Sequence, residues 1–298
     1  MRVAHLFAGA GGGLYADLIL GHEPVLAVEQ DSYCCCVLRL RRDEGWWPEL
    51  EVWEGDIRDW KPGDWAGRVD CIAAGFPCQD ISSAGSRVGV RGPKSGLVWE
   101  VFRAVDAIRP KFIFLENSPD IRTRGRREIV AALLSRGYTW RDGALAASDV
   151  GAPHQRKRWW LLAANPDGQR QLQQAWRKRQ ERERTGDCAP ASPNACCVRQ
   201  PQTGAQQQVS QAREQERQAV VATFCGSGAT ADYARISRDD RRAIEAIRSY
   251  TGRVWTPPDA DRGRVAHGMA DREHRIRALG NGQVPLQAAA AWTLLSTD

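Results

Sequence analysis

Along the first 165 residues the chain alternates between short apolar runs and stretches in which apolar residues recur every three or four positions. The runs at 3–7, 24–29, 52–56, 70–75, 111–117 and 158–164 suit buried strands. The stretches at 12–20, 31–42, 97–108 and 124–136 have helical spacing, with one face to bury. Strand and helix in alternation predict an α/β fold, a doubly wound, mostly parallel sheet with helices on both faces. Beyond Asn165 the pattern lapses. Gln, Arg and Glu dominate to about residue 218, Pro190, Pro193 and Pro201 interrupt, and large apolar residues are few. Such a stretch has little apolar surface to bury, so it reads as an insert or linker, part helical and part disordered. Patterning returns with an amphipathic helix at 236–250, a turn at 255–258 and a last helix at 284–295. The organisation expected is a core domain at 1–165, a smaller polar insert at 166–254, and a segment at 255–298 that returns to the core domain.

Composition narrows the class. A chain of 298 residues makes one large domain or two modest ones. At that size about three-quarters of the unfolded surface is buried on folding, so no disulfide or metal staple is needed. With 42% hydrophobic and 26% charged residues the protein reads as soluble and globular. No stretch approaches the roughly 20 apolar residues of a membrane span, and no secretory leader is visible, so a cytoplasmic protein is expected. The net charge of +6 is compatible with a nucleic-acid partner without demanding one. Nine cysteines, three of them adjacent at Cys34, Cys35 and Cys36, match no extracellular framework and point to a reducing compartment. They include no CxxC pair, and no metal site is expected.

Candidate chemistry gathers at the predicted carboxyl ends of the strands. Phe7-Ala8-Gly9-Ala10-Gly11-Gly12-Gly13 follows the first strand and opens the first helix. Glycines there let the backbone approach a ligand and aim helix amides at it, although plain tight turns use such a loop too. Glu29 and Asp56 end the second and third predicted strands beside it. Carboxylates at this edge can hold ribose hydroxyls and read an adenine amine; both residues also suit helix capping. Gly75-Phe76-Pro77-Cys78-Gln79 brings a thiol to the same edge. It is a nucleophile where positive charge or a helix terminus favours the thiolate, and a packing residue otherwise. The Gly-, Ser- and Arg-rich segment at 82–96 reads as a mobile loop over an active site. Glu116 ends the fifth strand, placed for acid catalysis if burial raises its pKa, with Asn117 and Ser118 as capping residues after it. Pro153-His154-Gln155-Arg156-Lys157-Arg158 leads into the sixth run. Alternation puts Arg156 and Arg158 on one strand face, where they can grip a base carbonyl, a phosphate or Glu116, or simply lie in solvent.

Taken in order with Gly280-Asn281-Gly282, these motifs resemble those of the DNA cytosine-5 methyltransferases. The resemblance covers 1–165 and about 255–298, and 166–254 falls where that family carries its variable target-recognition region. With Arg275-Ile276-Arg277-Ala278-Leu279-Gly280-Asn281 near the end, the chain is similar to the compact phage and prophage members. Amino-methylating relatives carry an acidic or Asn-Pro-Pro-aromatic signature in place of Pro-Cys-Gln, so the resemblance implies carbon methylation. It implies a Rossmann-like fold using S-adenosylmethionine and acting on double-stranded DNA, and a monomer is expected. By the same resemblance Cys78 is the nucleophile that adds to C6 of a cytosine swung out of the duplex, Glu116 acts at N3, and Arg156 and Arg158 anchor O2 and the polar network. Phe7, Ala8, Gly9, Ala10, Gly11 and Gly12 fall to the methionine part of the cofactor, Glu29 to its ribose, and Asp56 with Ile57 to its adenine. Pro77, Leu97 and Asn281 complete that pocket, and Gln79, Ser82, Ser86, Arg87 and Arg91 face the DNA. Ser118 stands where the family usually has Val, and His154 where it usually has Gln; neither removes a charged catalytic group. Arg272, Arg275 and Arg277 either replace the family's Arg-rich segment or form a solvated helix face.

Three other readings use part of this set. A tRNA cytosine-5 methyltransferase shares Pro-Cys-Gln and Glu-Asn, but with a shorter, different insert. A catalytically silent DNA-binding protein on the same fold has no need of the Cys, Glu and Arg set. An NAD-dependent oxidoreductase accounts for the glycine loop and Glu29, but leaves Cys78, Glu116 and the two arginines without a role.

Overall fold

The computed structural model describes residues 1–77, 95–152, 154–185 and 282–297. Seven strands, β1 (Arg2–Leu6), β2 (Glu23–Glu29), β3 (Glu51–Glu54), β4 (Cys71–Gly75), β5 (Phe112–Asn117), β6 (Thr139–Leu145) and β7 (Arg158–Ala164), make one sheet in the order β3-β2-β1-β4-β5-β7-β6. β1 to β5 are mutually parallel, whereas β7 is antiparallel to β5 and to β6. The helices are α1 (Gly12–Leu20), α2 (Ser32–Asp43), α3 (Val98–Ile108), α4 (Ile121–Arg124), α5 (Arg126–Leu134), α6 (Pro166–Thr185) and α7 (Pro285–Ser296). The chain winds outward from β1 to β2 and β3, then crosses to β4 and β5 on the other side. The loops after β1 and β4 therefore diverge, opening the crevice where ligands bind in doubly wound sheets.

The six expected strands all form, each end within two residues of its expected place. β6 was not anticipated. Its Thr139-Trp140-Arg141-Asp142-Gly143 start carries no apolar run, because its polar side chains find partners across the fold: Arg141 donates to the Thr297 carbonyl, and Asp142 is held by Arg126. The expected helix at 124–136 forms as α5, and Gly125 separates it from the short α4 that precedes it. The expected features at 236–250 and 255–258, and most of the loop at 82–96, lie outside the described residues.

Strand alternation sorts side chains onto two cores. On one face Ala4 and Leu6 of β1, Ile72 and Ala74 of β4, Ile113 and Leu115 of β5, and Trp159, Leu161 and Ala163 of β7 pack under α3 and α5. α3 meets them with Val98, Val101, Phe102, Val105 and Ile108 at i, i+3, i+4 spacing. The other face turns Val3, Cys71, Ala73, Phe112, Phe114, Trp160 and Leu162 toward α1 and α7. α7 is apolar nearly all round, as a helix buried on every side must be. Its four alanines, Ala288 to Ala291, let it lie close on the sheet and α1, while Trp292 sets its ring edge against Phe112 and Phe114.

Candidate active site

The glycine loop begins where β1 ends. Phe7, with φ of 58°, adopts a left-handed turn, and its amide and that of Ala8 donate to the Val28 carbonyl of β2. Gly9 follows at φ 55° and Gly11 at φ 93°, a backbone that side chains rarely tolerate. The glycines serve different neighbours. A Cβ on Gly11 would press on Trp47 and Leu38, and one on Gly12 would run into the backbone carbonyl of Gln283. At Gly9 nothing among the described residues stands within 4 Å of that position, whereas protein packs closely against Gly11 and Gly12. Glu29 fixes this geometry from β2: one carboxylate oxygen accepts from the Gly9 amide at 2.8 Å and the other from the Gln30 and Asp31 amides at 2.9 Å. Asp31, rather than Glu29, caps α2 through the Cys34 amide.

β3 ends at Glu54, two residues before Asp56, so Asp56 stands in the following turn rather than closing the strand. It caps no helix. Its carboxylate accepts from the Arg58 amide and pairs with the Arg58 guanidinium, whose hydrogen bonds hold its pKa down to about 2. The Ile57 side chain is in the core, and its carbonyl is gripped by Arg103 from α3 at 2.7 Å. Leu97 is half-buried on the same core, just before α3.

Of the catalytic candidates, Glu116, Arg156 and Arg158 meet near the carboxyl end of β5. Gly75 of β4 sits in register with Glu116 of β5, which in turn faces Trp160 of β7. Glu116 shares the sheet face of Phe112 and Phe114 and so points toward the α7 side; Arg158, two residues before Trp160, points the same way. Arg158 Nε lies 2.9 Å from Glu116 Oε1. Arg156 reaches the site by another route than the expected alternation. It precedes β7 with φ of 29°, and its guanidinium donates to the Gly282 carbonyl at 2.6 Å. Burial pushes the Glu116 carboxyl above its ordinary pKa, and the charges of Arg158 and Arg156 with a hydrogen bond from Gln283 offset this only in part. A Cβ on Gly75 would stand 2.9 Å from Glu116 Oε2 and 3.0 Å from Gln283 Nε2, so a side chain here would push the ends of both residues out of their present places.

Asn117 has a different task from the capping expected of it. It faces the opposite side of β5, is buried, and donates to the Phe76 carbonyl at 3.0 Å, tying the Gly-Phe-Pro turn of β4 to β5. Pro77 is half-buried there, and Cys78 is the next residue in the chain. Cys78, Gln79, Ser82, Ser86, Arg87, Arg91 and Asn281 lie outside the described residues, as do Arg272, Arg275 and Arg277. Of the other thiols, burial pushes Cys34 and Cys35 up to about 12 and Cys71 well above its ordinary value, so all three stay protonated and unreactive.

Beneath the glycine loop, His5 Nε2 meets Asp17 Oδ2 at 2.6 Å and His22 Nδ1 meets Asp17 Oδ1 at 3.3 Å. Burial opposes the Asp17 charge, but the histidines, His5 foremost, hold its pKa below the usual carboxylate value. Sequence reasoning passed over this group, as it did Gln283 and Gln287. Gln287, fully buried in α7, donates to the Leu145 and Arg156 carbonyls at 2.7 and 2.9 Å and so fixes the approach to β7. A polar residue inside an otherwise apolar helix was the available signal. Among the described residues no group of three His, Cys, Asp or Glu side chains could hold a metal, and no helix is long and apolar enough to cross a membrane.

Residues 1–278 match the family model described as C-5 cytosine-specific DNA methylase. The Type II methyltransferase M2.BsuMI of Bacillus subtilis is 34% identical over 175 residues, 55% of this chain and 42% of that protein. M.CviJI, a Type II methyltransferase of Paramecium bursaria Chlorella virus IL3A, is 37% identical over 113 residues, 38% of this chain and 31% of that protein. The matched stretch thus spans less than half the length of either curated relative. Among solved structures, S. pombe Dnmt2 methyltransferase aligns over 99% of this chain and 97% of its own, with a TM-score of 0.54 and 15% identity, a likeness of fold.

Proposed function

The chain belongs to the C-5 cytosine-specific DNA methylase family, and on that premise we propose that it transfers a methyl group to C5 of a cytosine in double-stranded DNA through a transient bond to Cys78. The observation that carries this reading is the Glu116–Arg158 pair, with Arg156 beside it, at the carboxyl end of β5 across from the turn that leads to Cys78. S-adenosylmethionine is the cofactor that membership in this family implies. The residues fit it: nothing among the described residues fills the space at Gly9, and Glu29 already orders the loop through three backbone amides while a carboxylate has room for one more donor, such as a ribose hydroxyl. Asp56 and the Ile57 backbone fall to its adenine, and Pro77, Leu97 and Asn281 to the rest of the pocket. When bound, it supplies an electrophilic methyl carbon.

The rest of the chemistry falls to the chain. Cytosine C5 is a weak nucleophile in the intact ring. Addition of the Cys78 thiolate to C6 moves electron density onto N3 and leaves an enamine whose C5 can attack carbon. Glu116, whose affinity for a proton is raised by burial, donates to N3 as that charge develops, and Arg158 and Arg156 orient its carboxyl and anchor the base O2. Loss of the C5 proton to a base then reforms the double bond and expels Cys78. None of these atoms is accessible in a stacked duplex, so the base must swing out at a cost of a few kcal/mol. Gln79, Ser82, Ser86, Arg87 and Arg91 are assigned to holding the opened DNA, and 166–254, beginning with the polar α6, to reading its sequence. Bisulfite sequencing of DNA from cells expressing the protein tests the proposal. Methylation at C5 within a defined sequence is expected; methylation confined to tRNA, or none, would overturn it.

A further inference from the structure

Gln283 stands at the meeting point of everything that shapes the candidate site, in the segment that leads from Gly282 into α7. Its Nε2 would lie 3.0 Å from a Cβ on Gly75, and its Oε1 2.7 Å from one on Gly13, while its backbone carbonyl occupies the place of a side chain on Gly12. Three glycines, from the loop after β1 and the end of β4, thus leave room for one glutamine. Its side chain also hydrogen-bonds Glu116. We propose that Gln283 is a positioning residue for the Glu116 carboxyl, fixing its Oε2 side while Arg158 fixes Oε1. The inference rests on the reading of Glu116 as the active carboxyl.

The physical case is one of orientation. A glutamate has three side-chain torsions, and a single ion pair leaves its carboxyl plane free to turn about that contact. A second donor at the other oxygen sets the plane, and an amide does so without adding charge. Among the described residues, the charged groups facing Glu116 are Arg158 from β7 and Arg156 from the segment before it; β4 presents Gly75, which does not titrate. A donor to a carboxylate favours its ionised form, so removing this one raises the affinity of Glu116 for its proton.

Carboxyl-carbon NMR of the full-length protein, labelled at glutamate, tests this, with the Glu116 signal identified by its loss in Glu116→Gln. In Gln283→Met, which keeps the length and loses the amide, the titration midpoint of Glu116 should move upward. Turnover with labelled S-adenosylmethionine and unmethylated genomic DNA should drop about tenfold, the loss of one hydrogen bond to a charged group. Affinity for S-adenosylmethionine by calorimetry should stay within about twofold. Should Gln283→Met fail to fold, Gln283→Glu keeps the shape but offers a like charge in place of a donor, and the midpoint must move the same way. An unmoved midpoint in either folded variant overturns the role of Gln283. Full turnover by Glu116→Gln overturns instead the reading of Glu116 beneath it.

Discussion

Glu116 is held between opposed demands: burial makes its charge costly, yet two arginines and a glutamine are turned toward it. Burial prevails, so the folded protein binds this proton more tightly than the unfolded chain does. The contribution of Glu116 to stability is then full below the ordinary carboxyl pKa of about 4.3 and is lost as pH rises through the higher folded value. Glu116→Gln, neutral at every pH, is therefore expected to be at least as stable as the wild type in thermal melts at neutral pH, and to lose that advantage in acid. Its turnover should fall by about a hundredfold or more, the contribution of a placed general acid. A variant that is both inactive and markedly less stable at neutral pH would mean that Glu116 serves the fold rather than the chemistry. Sequence placed Glu116 and Arg158 correctly because both lie on strands, where alternation decides direction. It misjudged the route of Arg156, which owes its place to a left-handed turn and a contact to Gly282, 126 residues away.

At the scale of elements, α7 closes the far side of the site. Its amphipathy is nearly absent, which left its burial legible but not its orientation; what it touches is decided by contacts with β5, β7 and α1 that are distant in sequence. Trp292, 8% exposed, is edge-on to Phe112, Phe114 and His22, so it joins the helix both to the sheet and to the histidine–aspartate group under the glycine loop. Trp292→Ala should lower stability by about 3 kcal/mol or more in urea unfolding, as a large aromatic removed from a filled core does. Because Gln283 is carried at the head of this helix, turnover should fall further than the loss of folded protein explains. Unchanged specific activity in the folded fraction would separate α7 from the site. β6 shows the opposite case. Its Arg141 and Asp142 gave no strand signal because strand patterning looks for apolar alternation, whereas an edge strand can satisfy polar residues through neighbours such as Arg126 and Thr297.

For the molecule as a whole, the doubly wound sheet was readable because most of its parallel strands are largely apolar runs, and the nearness of Glu29, Glu116 and Pro77 because parallel strands bring their carboxyl ends to one edge, where antiparallel β7 adds its amino end with Arg158. Gln287 left a local mark, a polar residue inside an otherwise apolar helix, but its partners, like those of Gln283, lie more than a hundred residues away in the chain and no local pattern names them. The central claim is the covalent step at Cys78, and DNA containing 5-fluorocytosine tests it most directly, since fluorine at C5 cannot leave as the proton does. Incubated with this DNA and S-adenosylmethionine, the protein should form a complex that survives denaturant, with Cys78 as the attached residue, while Cys78→Ser should form none and keep its affinity for the cofactor. Methylated product with no trapped complex, or trapping that persists in Cys78→Ser, would contradict the account.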